Sequence, residues 1–192
     1  ANGGTVSTTS KDITFDTNLT LPSPERTGYT FGGWFVGTKE YTTGTWTTDS
    51  NVTLVAKWTA KTYKATYNAN GGSVSSSYKN YTYDESYTLL EPERTGYEFL
   101  GWYKDGTLVP STGTWKFDTN ISLVAEWKAR VYTVTYDAGV GTSSEPSAQA
   151  TYDSNFTLAT AERVGYKFDG WYYNGTKYES GTWKTTKNIT LT

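Results

Sequence analysis

The chain has no histidine, no cysteine and no methionine among its 192 residues. Without histidine there is no imidazole to act as a general acid or base near neutral pH, and none to ligate a metal. Without cysteine there are no thiol nucleophiles, zinc knuckles or disulfides. The missing thiols do not fix a compartment: they suit a reducing cytosol and equally an exported bacterial protein. No apolar run approaches the ~18–20 residues of a membrane-spanning helix, and no signal peptide opens the chain. With no initiator methionine, it reads as a processed or excised piece. Charge is sparse and nearly balanced, with 17 Lys and Arg against 19 Asp and Glu, a net −2. With no basic run, nucleic acid is not expected as a partner.

What is abundant points to strands. Mean hydropathy is −0.62 and only 35% of residues are hydrophobic, little for one large core. The aromatic share is high instead, with 8 Trp, 17 Tyr and 7 Phe. Each buried aromatic removes about 150–250 Å² from water, so few, large rings are expected to build the core. Threonine is the other excess, at 37 residues. Thr, Tyr and Trp all suit a pleated, half-buried surface.

The dominant feature is repetition. Gly28-Tyr29 recurs as Gly96-Tyr97 and Gly165-Tyr166, at offsets of 68 and 69. Gly33-Trp34 recurs as Gly101-Trp102 and Gly170-Trp171. Gly44-Thr45-Trp46 recurs as Gly113-Thr114-Trp115 and Gly181-Thr182-Trp183. Trp58 matches Trp127, with no third copy. The one-residue change of period falls between Trp102 and Trp115, near Pro110, which marks a loop. Only the middle copy, about Tyr63 to Trp127, is complete. The first lacks the strand before Ala1-Asn2-Gly3-Gly4, and the third stops short of the Val-Ala-x-Trp ending. The chain therefore reads as a window cut from a longer array. Four residues separate Trp58 from Tyr63 and Trp127 from Tyr132, too few for neighbours to tumble independently, so an elongated array is expected.

Within each copy the apolar residues alternate. Tyr63, Ala65 and Tyr67 share one face, as do Val52, Leu54, Ala56 and Trp58. Period two is the strand signature. At most one helical turn fits, around Pro24-Glu25-Arg26 and its copies. Trp34, Trp102 and Trp171 are expected in the core with Tyr29, Tyr97 and Tyr166, and with Phe31, Phe99 and Phe168 beside them.

Glu-Arg-Thr-Gly-Tyr-x-Phe-x-Gly-Trp, then Gly-Thr-Trp, then Asn-(Val/Ile)-(Thr/Ser)-Leu-Val-Ala-x-Trp resembles the Listeria–Bacteroides repeat, the B-repeat type of unit in internalin-like bacterial surface proteins. The resemblance covers essentially the whole chain. It implies one small β-grasp (ubiquitin-like) domain per repeat, in arrays on secreted or wall-attached proteins, and non-enzymatic modules that space, adhere or bind partners. The third copy departs at Gly139-Val140 and carries Ala161 where the others have Pro24 and Pro92.

Each candidate chemical feature has a structural alternative. Glu25-Arg26, Glu93-Arg94 and Glu162-Arg163 are the only charged pair in all three copies. Arg could clamp a ligand; the favoured reading is a structural fork that bonds carbonyls or a carboxylate and packs its stem on Tyr or Trp. Asp16-x-Asn18, Asp49-x-Asn51, Asp118-x-Asn120 and Asp153-x-Asn155 look like half a calcium loop, but the distal ligands are missing. Asx-type turns explain them better, and Lys187-Asn188 puts a cation at the matching place. Asn18-Leu19-Thr20 and similar triplets match the glycosylation acceptor, and arise by chance in a Thr-rich chain. Tyr41, Tyr173, Tyr178 and the Tyr78–Tyr81–Tyr83 cluster could stack on sugars, but cross-strand pairing is the simpler reading. No second carboxylate recurs for acid–base work, and no Lys is placed alike in all copies for an isopeptide cross-link.

The sequence thus leads to a mainly β or α+β chain: an elongated tandem array of three small β-grasp repeats at 1–60, 61–129 and 130–192. The expected role is a non-enzymatic spacer or adhesion stalk on the bacterial cell surface, extracellular at the cell wall; the alternative is a binding module for a host protein or glycan. Neighbouring repeats of the same chain are the remaining partners. No catalytic residues, metal or cofactor are assigned, no binding residues are identified, and no membrane insertion is expected.

Overall fold

The computed structural model describes residues 1–192 and consists of strands, turns and irregular segments, with no helix. It divides into two compact units. One comprises residues 1–67, 76–89 and 110–123; the other comprises 68–75, 90–109 and 124–192. Each unit therefore takes part of the second sequence repeat.

In the first unit, Tyr29–Val36 pairs antiparallel with Lys39–Tyr41 across Gly37-Thr38, and on its other side with Val55–Ala60. Trp34 faces Tyr41 on one side and Ala56 on the other. The register slips between Phe31 and Trp34, where Gly32-Gly33 supplies the bulge. Thr62–Asn68 forms a second antiparallel pair with Tyr78–Thr82, with Tyr63 opposite Tyr81. Short ladders join Asn18–Leu19 to Gly44–Thr45 and Ser86–Thr88 to Thr112–Thr114. Tyr81 and Trp115 are both buried and stack at 4.5 Å between ring centres. The buried Tyr81 hydroxyl pairs with that of Tyr67 at 2.6 Å and with the Thr88 carbonyl at 2.9 Å. Leaving it unpaired would cost about 1–3 kcal/mol. Burial pushes its ionisation far above the ordinary tyrosine range, with the Tyr67 hydrogen bond adding to it.

In the second unit, Tyr97–Lys104 turns at Asp105-Gly106 into Thr107–Val109 and pairs with residues 124–129 of the Ile121–Ala129 strand. Both turn residues have positive φ, 49° and 77°, as a two-residue hairpin turn that matches strand twist requires. Val131–Tyr136 lies between an antiparallel partner, Ser147–Thr151, and a parallel one, Ile189–Leu191. Trp171–Tyr173 and Thr176–Tyr178 form a further hairpin, and Tyr172 exchanges backbone bonds with Thr192 at 2.8 and 3.0 Å. The core here gathers Val134, Tyr136, Ala150, Phe156, Trp171, Trp183, Ile189 and Leu191.

Of the expected core residues, Trp34, Trp102 and Trp171 are buried, at 6%, 1% and 2% exposure. Each donates its indole N–H twelve residues back, to the carbonyls of Pro22, Leu90 and Ala159. The flanking rings depart from expectation. Tyr29, Tyr97, Phe31 and Phe99 are only half-buried, and Tyr166 and Phe168 are exposed at 66% and 41%. In the first two repeats the register slip before the tryptophan brings these rings to its face, but the ends of that face lie beyond the core. The Pro-Glu-Arg segments form β-bridges and no helical turn. Thr5 and Glu25 exchange backbone bonds at 2.8 and 2.9 Å, as Ser73 and Glu93 do at 2.8 Å. Gly4 permits the approach: a β-carbon there would lie 2.6 Å from the Glu25 carbonyl oxygen.

Candidate functional site

The recurring constellation of side chains lies where one sequence repeat meets the next. In the first unit a single residue, Lys61, connects Val55–Ala60 to Thr62–Asn68. Its N–H donates to the Gly28 carbonyl at 2.8 Å, and its carbonyl accepts from Tyr83 N–H at 2.9 Å. Gly28 has φ +79°, and a β-carbon there would collide with the Tyr83 ring. The glycine thus serves both a left-handed backbone and a close approach. Tyr29 packs edge-on against Tyr83 at 5.8 Å and donates its hydroxyl to Asp84 Oδ2 at 2.7 Å. Arg26 lies 3.7 Å over the Tyr29 ring and donates to the Asn2 carbonyl at 3.3 Å. Lys116 pairs with the other oxygen of Asp84.

The second unit repeats the arrangement one period later. Arg130 N–H donates to the Gly96 carbonyl and the Arg130 carbonyl accepts from Tyr152 N–H, both at 2.9 Å. Gly96, at φ +78°, lies under the Tyr152 ring. Tyr97 donates to Asp153 Oδ2 at 2.7 Å. Arg94 lies 3.7 Å over Tyr97 and donates to the Asn70 carbonyl, and Lys184 pairs with Asp153.

The charges follow the geometry. The Lys116 ammonium, and after it the Tyr29 hydroxyl, hold the Asp84 carboxyl below its ordinary value. Lys184 and Tyr97 do the same to Asp153. The Tyr29 and Tyr97 hydroxyls are raised, first because each donates to a carboxylate. A group with a depressed folded-state pKa stabilises the folded form above its unfolded value, and loses that contribution as pH falls through the folded value. The contribution of both aspartates is therefore whole at neutral pH and declines below about pH 3.9. The melting temperature of the parent chain should fall toward that of the Asp84→Asn, Asp153→Asn double variant between pH 4 and 2. A gap that stays constant across that range would contradict the pairing.

The glutamate-arginine pairs divide their roles. Arg26 and Arg94 stack on tyrosine and bond carbonyls, the structural role set out above, while the glutamates contribute backbone bridges. Arg163 likewise lies 3.8 Å over Tyr166. Among the aspartate–asparagine turns, Asp16 and Asp153 adopt positive φ, 60° and 61°. Asn120 accepts from Lys64 N–H at 2.8 Å, and Asn188 from Thr133 N–H at 2.9 Å. No three acidic side chains converge. The candidate sugar-stacking rings scatter. Tyr81 is core, Tyr83 belongs to the joint, and Tyr41 and Tyr178 pack on Trp46 and Trp183. Tyr173 lies beneath Lys187, and Tyr78 is 52% exposed. Sequence reasoning missed Asp84, Lys116 and Lys184. Their signal was an aromatic-Asp step at Phe15-Asp16, Tyr83-Asp84 and Tyr152-Asp153, with a Lys after Trp115 and Trp183.

The profile of the Listeria-Bacteroides repeat domain matches three stretches, residues 1–57, 63–126 and 132–192. The chain belongs to the Listeria-Bacteroides repeat family. Two relatives come from Evansella cellulosilytica. A putative Gly-rich membrane protein is 30% identical over 97% of this chain and 22% of its own length. A putative membrane protein is 34% identical over 70% of this chain and 20% of its own. Internalin H of Listeria monocytogenes is 33% identical over 55% of this chain and 20% of its own length. The Listeria-Bacteroides repeats here thus span about a fifth of the curated relatives they match. No solved structure matches the chain at a significant level.

Proposed function

We propose that this chain is a non-enzymatic spacer or adhesion-stalk segment of a bacterial cell-surface protein, lying outside the cell at the wall. The observation that carries this reading is the duplicated joint. The same tyrosine-to-aspartate bond, 2.7 Å in both units, and the same single-residue connector recur one period apart. A ligand site needs one constellation, whereas a spacer needs the same internal bonds at every junction. The names of the relatives, two membrane proteins and an internalin, support the location. We take the modules as residues 1–60, 61–129 and 130–192, each a β-grasp unit without its helix. The central parallel pair of first and last strands, Val131–Tyr136 beside Ile189–Leu191, supports that assignment.

The competing role is a binding module for a host protein or glycan. Glycan arrays and host-surface protein panels probed with the whole chain distinguish the two. The spacer reading expects no saturable binding. A saturable ligand whose capture is lost in Tyr78→Ala, with folding intact, would replace it.

A further inference from the structure

The second and third repeats each hold an edge strand with a single partner. Tyr78–Thr82 pairs with Thr62–Asn68, and Ser147–Thr151 pairs with Val131–Tyr136. The Tyr67 N–H bonds the Ser77 carbonyl, and the Tyr136 N–H that of Pro146. Alternation along an antiparallel ladder then turns the backbone of Tyr78, Asn80 and Thr82 outward, and likewise that of Ser147, Gln149 and Thr151. Such an edge is a template for another strand unless something blocks it. The second repeat blocks its edge twice. The Ser76 hydroxyl donates to the Tyr78 carbonyl at 2.7 Å and accepts from the Tyr78 N–H at 3.4 Å. Lys79 adds a charge, its ammonium donating to the Thr88 carbonyl at 3.3 Å. The third repeat has neither device, because Glu145 stands 69 residues after Ser76 and Ala148 stands 69 after Lys79. Its nearby hydroxyl, on Ser143, serves Glu145 instead, at 2.6 and 3.4 Å. At the other end the Thr151 carbonyl accepts from the Ser154 N–H at 3.1 Å. Between these ends the N–H and C=O groups of Ser147 and Gln149 have no hydrogen-bond partner, and both residues are exposed. Residues 146–151 carry no charge.

We propose that Ser147–Thr151 is a strand-addition edge whose occupant is the same edge of a second copy of this chain, antiparallel about a two-fold axis at Ala148. Ser147 of each copy then faces Gln149 of the other. The two pairs exchange backbone bonds, and every open N–H and C=O of both residues finds a partner. Ala148 meets its own counterpart at a non-bonded pair, where Cα atoms approach to about 4.5 Å and a small uncharged residue fits best. A lysine at that place would oppose a like charge, which keeps the Tyr78–Thr82 edge out of this arrangement. The ladder ends at Glu145 and at the Thr151 carbonyl, which are already engaged. A two-fold contact of one edge with itself closes as a pair and does not grow into a fibre. A contact this short falls below the ~1,200 Å² at which stable interfaces begin, so it serves chains already crowded together on a surface.

The pairing rests on the surface-stalk reading, and its test is separable: a host ligand found for the chain would leave the pairing standing, and a chain that does not pair would leave the spacer role standing. NMR spectra of the whole chain are recorded from micromolar to millimolar concentration, with sedimentation alongside. The amide signals of Ser147 and Gln149 should move along a dimerisation curve as the average mass rises, while that of Asn80 stays in place. Two variants copy the second repeat. Glu145→Ser gives Ser147 the hydroxyl that Tyr78 has, and Ala148→Lys restores the charge. Each should abolish the movement, with near-UV circular dichroism like the parent's as the check on folding. The exposed Glu145→Ser change keeps the test decisive should Ala148→Lys fail to fold. Signals that stay fixed up to millimolar chain would overturn the proposal, as would dimers that persist in the folded variants or whose shifts lie elsewhere. Shifts at Ser147 and Gln149 produced by an alternating Thr-Val peptide, but not by the chain itself, would give the edge to a foreign strand and overturn the second copy.

Discussion

Trp102→Ala should unfold the part of the molecule built around that ring. Trp102 is 1% exposed, packs edge-on to Phe99 at 5.6 Å, and donates its indole N–H to the Leu90 carbonyl at 2.7 Å. Truncating a buried tryptophan costs about 3–5 kcal/mol. Small domains sit at the low end of the usual 5–15 kcal/mol of stability, so the loss consumes most of what a repeat has. Urea unfolding followed by near-UV circular dichroism should show an early transition absent from the parent. A second tryptophan supplies the control. Trp115 is fully buried, but its indole nitrogen has no hydrogen-bond partner. Trp115→Phe removes an unpaired donor, whereas Trp102→Phe removes a made hydrogen bond to the Leu90 carbonyl. The latter should therefore be the more damaging ring-preserving change, by about 0.5–1.5 kcal/mol. A Trp102→Ala chain with the parent's midpoint would refute this core.

The joint is tested by two glycines that share a backbone conformation but differ in what lies above them. Gly96 and Gly165 both have φ +78°. At Gly165 an added methyl meets open space, so Gly165→Ala pays only for the left-handed backbone, about 1–2 kcal/mol. At Gly96 the methyl also enters the Tyr152 ring, and overpacking of that kind adds about 1–3 kcal/mol. Denaturant midpoints should fall for both variants, and further for Gly96→Ala. Tyr152→Ala added to Gly96→Ala should recover part of the difference by removing the obstacle. Equal losses at the two positions would mean that the Tyr152 ring does not rest on Gly96 in solution.

Much of the architecture was legible because it is local. Alternation marked the strands, and the recurring Gly-Trp placed the three buried indoles. What escaped was the use of Tyr29 and Tyr97. Their partners, Asp84 and Asp153, lie 55 and 56 residues along the chain. A scan for period 68 aligns equivalent residues, but it does not pair a residue with a different position of the next copy. The cationic halves were hidden for a related reason: Lys116 and Lys184 have Thr47 as their counterpart, so the charge does not repeat in every copy. Burial at Tyr166 and Phe168 was misjudged because a strand's apolar face is covered only where another element lies against it. No neighbouring strand runs along residues 163–169, and the alternating rings there stay in water.

The side-by-side placement of Val131–Tyr136 and Ile189–Leu191 has a mechanical meaning. They run parallel, with Val134, Thr135 and Tyr136 opposite Ile189, Thr190 and Leu191. Tension that draws the start of the first strand away from the end of the second slides them along each other. The bonds between them then bear the load together, in shear, instead of parting one after another as in a hairpin pulled open at its ends. The resistance of such a clamp comes from strand direction and does not require a larger core.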